Sequence, residues 1–415
     1  MNNNSNNPKP ELLAPAGDME KLIAACEYGA DAVYIGGGNY NLRAGAKNFG
    51  ADETAQAAAY AHKRGVKVYA AVNIFAHNED LGGMVEYFTA IKHAGIDALI
   101  ISDPGVFDLA RKTLPDTDIH ISTQANNTNY AGVLFWGKRG AKRAVLAREL
   151  SFNEIAQISE KTAGKVELEV FVHGAMCVSY SGRCLLSNYL NERDSNRGMC
   201  SQPCRWKYAL SEKSREGEFF QVEEDSRGTY ILNSKDLCMI EYIPELIKSG
   251  AVSFKIEGRN KTPYYVAAVT KAYREAIDDY FESPEKYLAR KNYYMDEILK
   301  VSNREFTTGF YFTKPDGSAQ IYCGDSYVRT YDFIGVVLGY DEKTGLAKIE
   351  QRNKFSVGDT AEFLTPKGGG ASALISEMYN ENMESILSAP HPKQIVYVKT
   401  GLPVKALDFM RKRML

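Results

Sequence analysis

From residue 11 onward, short apolar runs bounded by turn residues alternate with longer stretches whose apolar positions recur three and four residues apart. The short runs predict strands at 11–14, 32–35, 66–72, 98–102, 118–123, 143–147, 166–172 and 252–256. Helical periodicity fills gaps between them, at 19–28, 53–64, 83–93 and 152–161. Strand alternating with helix means parallel strands joined by crossovers. Eight strands in that rhythm predict a closed (β/α)8, TIM-like barrel. A doubly wound sheet would place a Gly-rich fingerprint after its first strand. Here that strand ends in Ala14-Pro15-Ala16-Gly17, and Gly36-Gly37-Gly38 lacks the spacing and the immediate helix.

One interval breaks the rhythm. About 80 residues separate the seventh strand from the eighth, where a crossover needs a few tens. The excess predicts a cysteine-bearing insertion over 174–250. After the eighth strand comes a long helix (264–280). From 333 to 403 the pattern changes to short strands broken by glycine, as in "FIGVVLGYDEKTGLAKIE" and "KQIVYVKTG", which predicts a small all-β barrel or sandwich. The expected organisation is a disordered Asn- and Pro-rich lead (1–10), a barrel domain (11–328) and a C-terminal β-barrel domain (329–415).

Composition changes this picture little. The 415 residues carry 50 basic and 52 acidic side chains, a net charge of −2, which excludes a histone-like polycation. A nucleic-acid partner stays open, because a local patch decides that. No apolar run reaches the ~18 residues of a membrane span, and the polar opening lacks a signal-peptide core, so a cytoplasmic protein without a membrane partner is expected. In that compartment the seven cysteines read as reduced thiols or metal ligands.

Four of them, Cys177, Cys184, Cys200 and Cys204, fall in "CVSYSGRCLLSNYLNERDSNRGMCSQPC". Four thiolates so close in sequence can converge on one metal or cubane cluster, and soft sulfur selects zinc or iron–sulfur. Gly, Pro and Ser around each argue against buried structural thiols. Cys238, in "ILNSKDLC", is an alternative fourth ligand; Cys26 reads as core, and Cys323 has no readable role.

The seventh strand, "VELEVFVHGAMC", puts Glu167, Glu169, Phe171 and His173 on one parity and an aliphatic set on the other. Carboxylates directed into a barrel are either functional or members of a structural ion-pair network. At its C-terminal end His173 occupies the position where barrel enzymes keep active residues. Other strand ends add Asn73, Asp103, Gln124, Arg148 and Glu149, while the eighth, "FKIEGRNK", adds Lys255, Glu257 and Arg259. His173, Glu169 and Glu257 are the candidate catalytic residues. Arg148, Lys255, Arg259, Gln124 and Asn73 are the candidate substrate-binding ones, a polar bowl suited to a small anion.

Basic and aromatic residues interleave near the cysteines (Arg183, Arg193, Arg197, Arg205, Trp206, Lys207). Further basic sets lie at Lys138, Arg139, Lys142, Arg143 and at Arg411-Lys412-Arg413. Such clusters suit RNA, through phosphate contacts and base stacking. Walker A, HExxH and GxSxG motifs are missing from the sequence.

The segment "ELEVFVHGAMCVSYSGRCLLS" resembles the signature of the collagenase-like peptidase family (unclassified peptidase family thirty-two). The resemblance extends to "PELLAPAGDMEKLIAACEYGADAVYIGG", "RGMCSQPCRW", "NSKDLC" and "SFKIEGRNKTPYYVA". It covers about residues 10 to 330, and the tail resembles the family's C-terminal β-barrel domain. Members with four cysteines imply a 4Fe-4S cluster on Cys177, Cys184, Cys200 and Cys204, with Cys238 as a possible substitute. The members most similar in length and layout imply oxygen-independent C5 hydroxylation of the tRNA wobble uridine to 5-hydroxyuridine, drawing on prephenate. The family's peptidase label implies the rival, a protease using Cys177, with His173 as its base, or a bound metal. A third implication is a non-catalytic, cluster-bearing subunit that needs a paralogous partner.

Overall fold

The computed structural model describes residues 8–38, 40–41, 48–177, 184–193, 195, 199–205, 207–208, 210–211, 219–220, 229–230, 235–313 and 328–414. Eight parallel strands close into a ring: β1 (Glu11–Pro15), β2 (Ala32–Gly36), β3 (Lys67–Val72), β4 (Ala98–Ile101), β5 (Asp118–Ile121), β6 (Arg143–Val145), β7 (Glu167–Ala175) and β8 (Ser253–Ile256). β8 pairs with both β7 and β1, which completes the barrel. A helix follows each strand: α1 (Met19–Glu27), α2 (Ala51–His62), α3 (Met84–His93), α4 (Pro104–Thr113), α5 (Tyr130–Gly137), α6 (Phe152–Thr162), α7 (Ile243–Lys248) and α8 (Pro263–Glu282).

Local chemistry sets where these helices begin. Asp18, Asp103, Asn129, Ser151 and Thr262 each accept a hydrogen bond from a backbone N–H in the first turn of the helix that follows. Pro104 and Pro263 occupy the first helical position, where no N–H is needed. The strands are buried on both faces, as parallel strands between a helix ring and a filled interior must be. The outward side chains, such as Val33, Leu99, Ile119 and Phe254, join the annular core under the helices. Leu13, Ala32, Tyr34, Tyr69, Ala98 and Ile100 form a separate apolar cluster inside the β1–β4 half of the barrel.

The strand Asp236–Cys238, within the insertion, runs antiparallel to the end of β7, and Phe306–Thr307 pairs beside it. Helix α9 (Pro284–Leu299) packs along α8. The C-terminal domain holds β9 (Tyr331–Asp341), β10 (Leu346–Gln351), β11 (Thr360–Leu364), β12 (Ala371–Leu374), β13 (Glu377–Tyr379), β14 (Ile395–Lys399) and β15 (Phe409–Arg413). They form one antiparallel sheet in the order β12-β11-β15-β9-β10-β14-β13. The all-β domain expected here takes the form of a half-barrel. The edge strands β12 and β13 are only 4 and 3 residues long and mostly exposed, too short to meet and close the sheet.

Candidate functional site

The β5–β8 half of the barrel interior is charged. Arg143 on β6 reaches Glu11 at 2.5 Å, Glu167 at 2.8 Å and Glu169 at 3.2 Å. Lys255 on β8 reaches the other oxygen of Glu169 at 2.8 Å. The Ser253 hydroxyl donates to Glu11 and Glu169, and the Tyr69 hydroxyl to Glu11. Burial alone would raise the Glu169 carboxyl, but Lys255 and Arg143 beside it hold it down to about 2. Burial pushes the Lys255 ammonium below its usual value, against the pull of Glu169. His120 on β5, which the sequence reading passed over, completes this wall. Its ring lies 4.7 Å from Tyr69, and burial and then Arg143 keep it neutral. Only the alternation of "DIHIS" along β5 could have pointed to it.

His173 does not share that face. Between β7 and β8, Lys255 pairs with Phe171 and Ile256 with His173, so β7 spends one extra residue over a single step of β8. This bulge breaks the two-residue alternation and turns His173 into the helix layer. Its ring centroid lies 5.6 Å from Tyr273, 6.0 Å from Tyr265 and 5.6 Å from Phe306, and burial lowers its pKa to about 4. His173 is a packed, neutral side chain, whereas Cys177 is exposed, so the two form no nucleophile–base pair.

The bowl at the C-terminal mouth is assembled from both sides. On one wall Asn73 donates to Gln124 at 3.1 Å, Ser122 hydrogen-bonds Gln124, and the Ser102 hydroxyl donates to the Asn73 carbonyl. On the other, the Arg148 guanidinium lies 3.8 Å from the Phe171 ring centroid. Arg259, 3% exposed, donates to Asn41 at 2.8 Å beside Tyr34. Gly36 makes room for it, since a Cβ there would fall 2.1 Å from Arg259 Nη1. The aromatic and amide partners Tyr34, Asn41 and Ser122 had no separate signal in the sequence. Glu257 lies just past β8, half-buried; its N–H donates to the His173 carbonyl, and its own carbonyl accepts from Tyr265. Asp103 caps α4 and so is spent on structure. Burial raises the Glu149 carboxyl.

Cys177 follows the end of β7 and is exposed; Cys184 and Cys204 are half-buried, Cys200 is exposed, and none of the four is in a disulfide. Residues 178–183, 194 and 196–198, between them, lie outside the described residues. Among the described residues no three His, Cys, Asp or Glu side chains are spaced to hold a metal ion. The described part does hold the cysteine segments together. Ser201, next to Cys200, hydrogen-bonds Ser187 and Asn191 in the short helix Leu186–Asn191, and Ser195 donates to the Cys184 carbonyl. The Gln202 N–H donates to Cys200 Sγ at 3.4 Å, with Gln202 in the left-handed backbone region (φ 56°). Four thiols are a donor set of the type a soft metal centre takes. Cys238 differs, with its thiol buried 4.0 Å from the Tyr273 hydroxyl and pushed up to about 12 by burial. Burial does the same to Cys26; Cys323 lies outside the described residues.

The family model described as peptidase family U32 matches residues 17–321, and the model of that family's C-terminal domain matches 329–411. The chain belongs to peptidase family U32. Over 97% of this U32 chain and 95% of the other, it is 42% identical to tRNA hydroxylation protein P1 of Bacillus subtilis. Identity to tRNA hydroxylation protein P of Escherichia coli is 37% over 92% of both chains. A Porphyromonas gingivalis protein named collagenase is 31% identical over 95% of this chain and 94% of its own.

Much of the basic sequence of this U32 chain is internally neutralised. Arg411 is buried between Glu297 and Glu362, Lys412 pairs with Asp359, and Arg143 lies in the barrel. These residues are corrected from surface patch to structure, because each meets a carboxylate distant in sequence. Lys138, Arg139, Lys142, Arg193 and Arg413 remain exposed, Lys142 beside Glu167 at 3.3 Å and Arg139 lying 3.6 Å over the exposed Phe135 ring. Arg183, Arg197 and Trp206, and the side chains of Arg205 and Lys207, lie outside the described residues. Among the described residues no helix is long and apolar enough to cross a membrane.

Proposed function

We propose that this protein is a tRNA-modifying enzyme that hydroxylates C5 of the wobble uridine to 5-hydroxyuridine, with prephenate as donor and a 4Fe-4S cluster on Cys177, Cys184, Cys200 and Cys204. The observation that carries the reading is similarity along nearly the whole chain to proteins named for tRNA hydroxylation. The bowl supports a dicarboxylate donor. Arg148 and Arg259 offer two guanidinium forks, each placed against an aromatic face, and Asn73 and Gln124 offer amides for a hydroxyl or carbonyl. When bound, a cluster would supply electron exchange or a Lewis-acidic iron. The chain's own part is to bind and orient the donor in the mouth of the barrel and to present the uridine above it.

The test is the 5-hydroxyuridine content of tRNA from a deletion strain complemented with wild-type protein or with Cys200→Ala. Wild type restores the nucleoside and Cys200→Ala does not; anaerobically purified wild type carries about four irons and four sulfides per chain, lost in the variant. Restoration by Cys200→Ala would remove the cluster from the reading. The peptidase alternative predicts cleavage of denatured collagen that Cys177→Ala abolishes, and unchanged tRNA.

A further inference from the structure

We propose that Lys255 is a catalytic nucleophile, which captures the carbonyl of a 2-oxo carboxylate as an imine at the floor of the bowl. This deepens the proposed function and rests on it, because prephenate carries a 2-oxo carboxylate side chain.

Lys255 is the one buried lysine on the eight barrel strands, 4% exposed. Its surroundings differ from those of a structural cation. Arg143, in the same interior, serves three carboxylates with its guanidinium fork. The Lys255 ammonium has three N–H donors and, among the described residues, meets one acceptor, Glu169 at 2.8 Å. Its other neighbours are ring faces, Tyr34 with a centroid at 4.6 Å and Phe171 at 5.6 Å. A buried ammonium with one partner and apolar walls is the side chain that yields its proton most readily, and burial and nearby arginines push in that direction.

The carboxylate binders bracket the same two rings. Arg148 lies 3.8 Å from the Phe171 centroid and Arg259 6.0 Å from that of Tyr34. Lys255 thus shares one aromatic wall with each arginine. An anion on either guanidinium brings a carbonyl carbon adjacent to its carboxylate toward the amine. Glu169 is itself fixed, its second oxygen accepting from Ser253 at 3.1 Å and Arg143 at 3.2 Å.

The step balances within these groups. One ammonium proton passes to the carbonyl oxygen as the nitrogen it leaves adds to the carbonyl carbon, with Glu169 holding the charge in place. The C–N bond becomes a double bond as the oxygen leaves with two protons as water. The reactants are an ammonium and a ketone, the products a protonated imine and water. The positive charge stays beside Glu169 throughout, and no oxidant or reductant enters.

The test uses full-length protein with prephenate, and with pyruvate as the smallest 2-oxo carboxylate, each reduced in place with sodium cyanoborohydride and mapped by peptide mass spectrometry. The expected result is a secondary-amine adduct on Lys255, formed at least tenfold more slowly in Glu169→Gln and absent in Lys255→Arg, which keeps the charge without the nucleophile. Titration calorimetry with prephenate separates the two levels. If prephenate binds and Lys255 carries no adduct, or carries no more than surface lysines do, the inference is overturned while the donor reading stands. If prephenate does not bind and pyruvate still labels Lys255, the donor reading fails and the imine chemistry holds. Full restoration of 5-hydroxyuridine by Lys255→Arg in the deletion strain would also overturn it.

Discussion

At the scale of single residues, the mouth of the barrel depends on what is missing as much as on what is present. Arg259 can lie against the end of β2 because residue 36 has no side chain. In Gly36→Ala the new Cβ would fall 2.1 Å from Arg259 Nη1 and 2.7 Å from the Asn41 amide carbon, both buried and bonded to each other. The guanidinium must leave its position. Overpacking of this kind costs about 1–3 kcal/mol, and the displaced fork no longer matches a carboxylate. The expected outcome is folded protein with a lower melting temperature and prephenate affinity reduced at least tenfold by calorimetry. Unchanged affinity would exclude Arg259 from the donor site. None of this was readable from the triple glycine, which in sequence marks only a turn, since its contact partner lies more than two hundred residues away.

At the scale of elements, β7 shows where periodicity works and where it stops. Glu167 and Glu169 lie inward as alternation requires, and both belong to the ion network with Arg143. Past Phe171 the bulge cancels the rule, and His173 moves from the face of the carboxylates to the layer of Tyr265 and Tyr273. A one-residue register change leaves no mark on composition, so the strand was legible and the direction of its last side chains was not. The strands themselves were legible because a parallel barrel buries both faces and writes continuous apolar runs. The interior network also sets a pH response. The Glu169 carboxyl lies at about 2 in the fold against an ordinary 4.5. A carboxyl depressed in this way contributes stability above its unfolded value and loses that contribution as pH falls through its folded one. Wild type is therefore expected to lose melting temperature steeply between about pH 4.5 and pH 2. Glu169→Gln, already destabilised at pH 7, is expected to show a shallower slope in that window. Parallel slopes in thermal melts would mean that Glu169 is not the group titrating.

For the whole molecule, the question is whether the half-barrel swings or stays fixed. Its last strand carries Arg411, 2% exposed, which binds Glu297 of α9 through both terminal nitrogens at 2.9 Å and Glu362 of β11 at 3.0 Å. Lys271 of α8 donates to the carbonyls of Thr365 and Gly368, and the hydroxyl of Tyr28, just past α1, donates to those of Leu364 and Leu407. Tyr264 stacks on Phe333 at 5.4 Å. A seam with buried ions, backbone bonds and stacked rings fixes the second domain against one side of the barrel. Any tRNA held by both domains then meets one preset surface. Removing the guanidinium leaves Glu297 and Glu362 to share the cation Lys300, and breaking a buried pair by deleting one partner costs about 3–5 kcal/mol. Wild type is expected to unfold in one calorimetric transition and Arg411→Ala in two, with the half-barrel melting first. Arg411→Leu combined with Glu297→Leu is expected to regain part of the loss, because Glu362 keeps Lys300 at 3.2 Å and no unpaired charge remains in the seam. If Arg411→Ala still melts in one transition, the seam is held by its apolar contacts and not by this arginine. If the two-leucine variant is no better than the single one, the loss comes from the packing of the guanidinium and not from stranded charge.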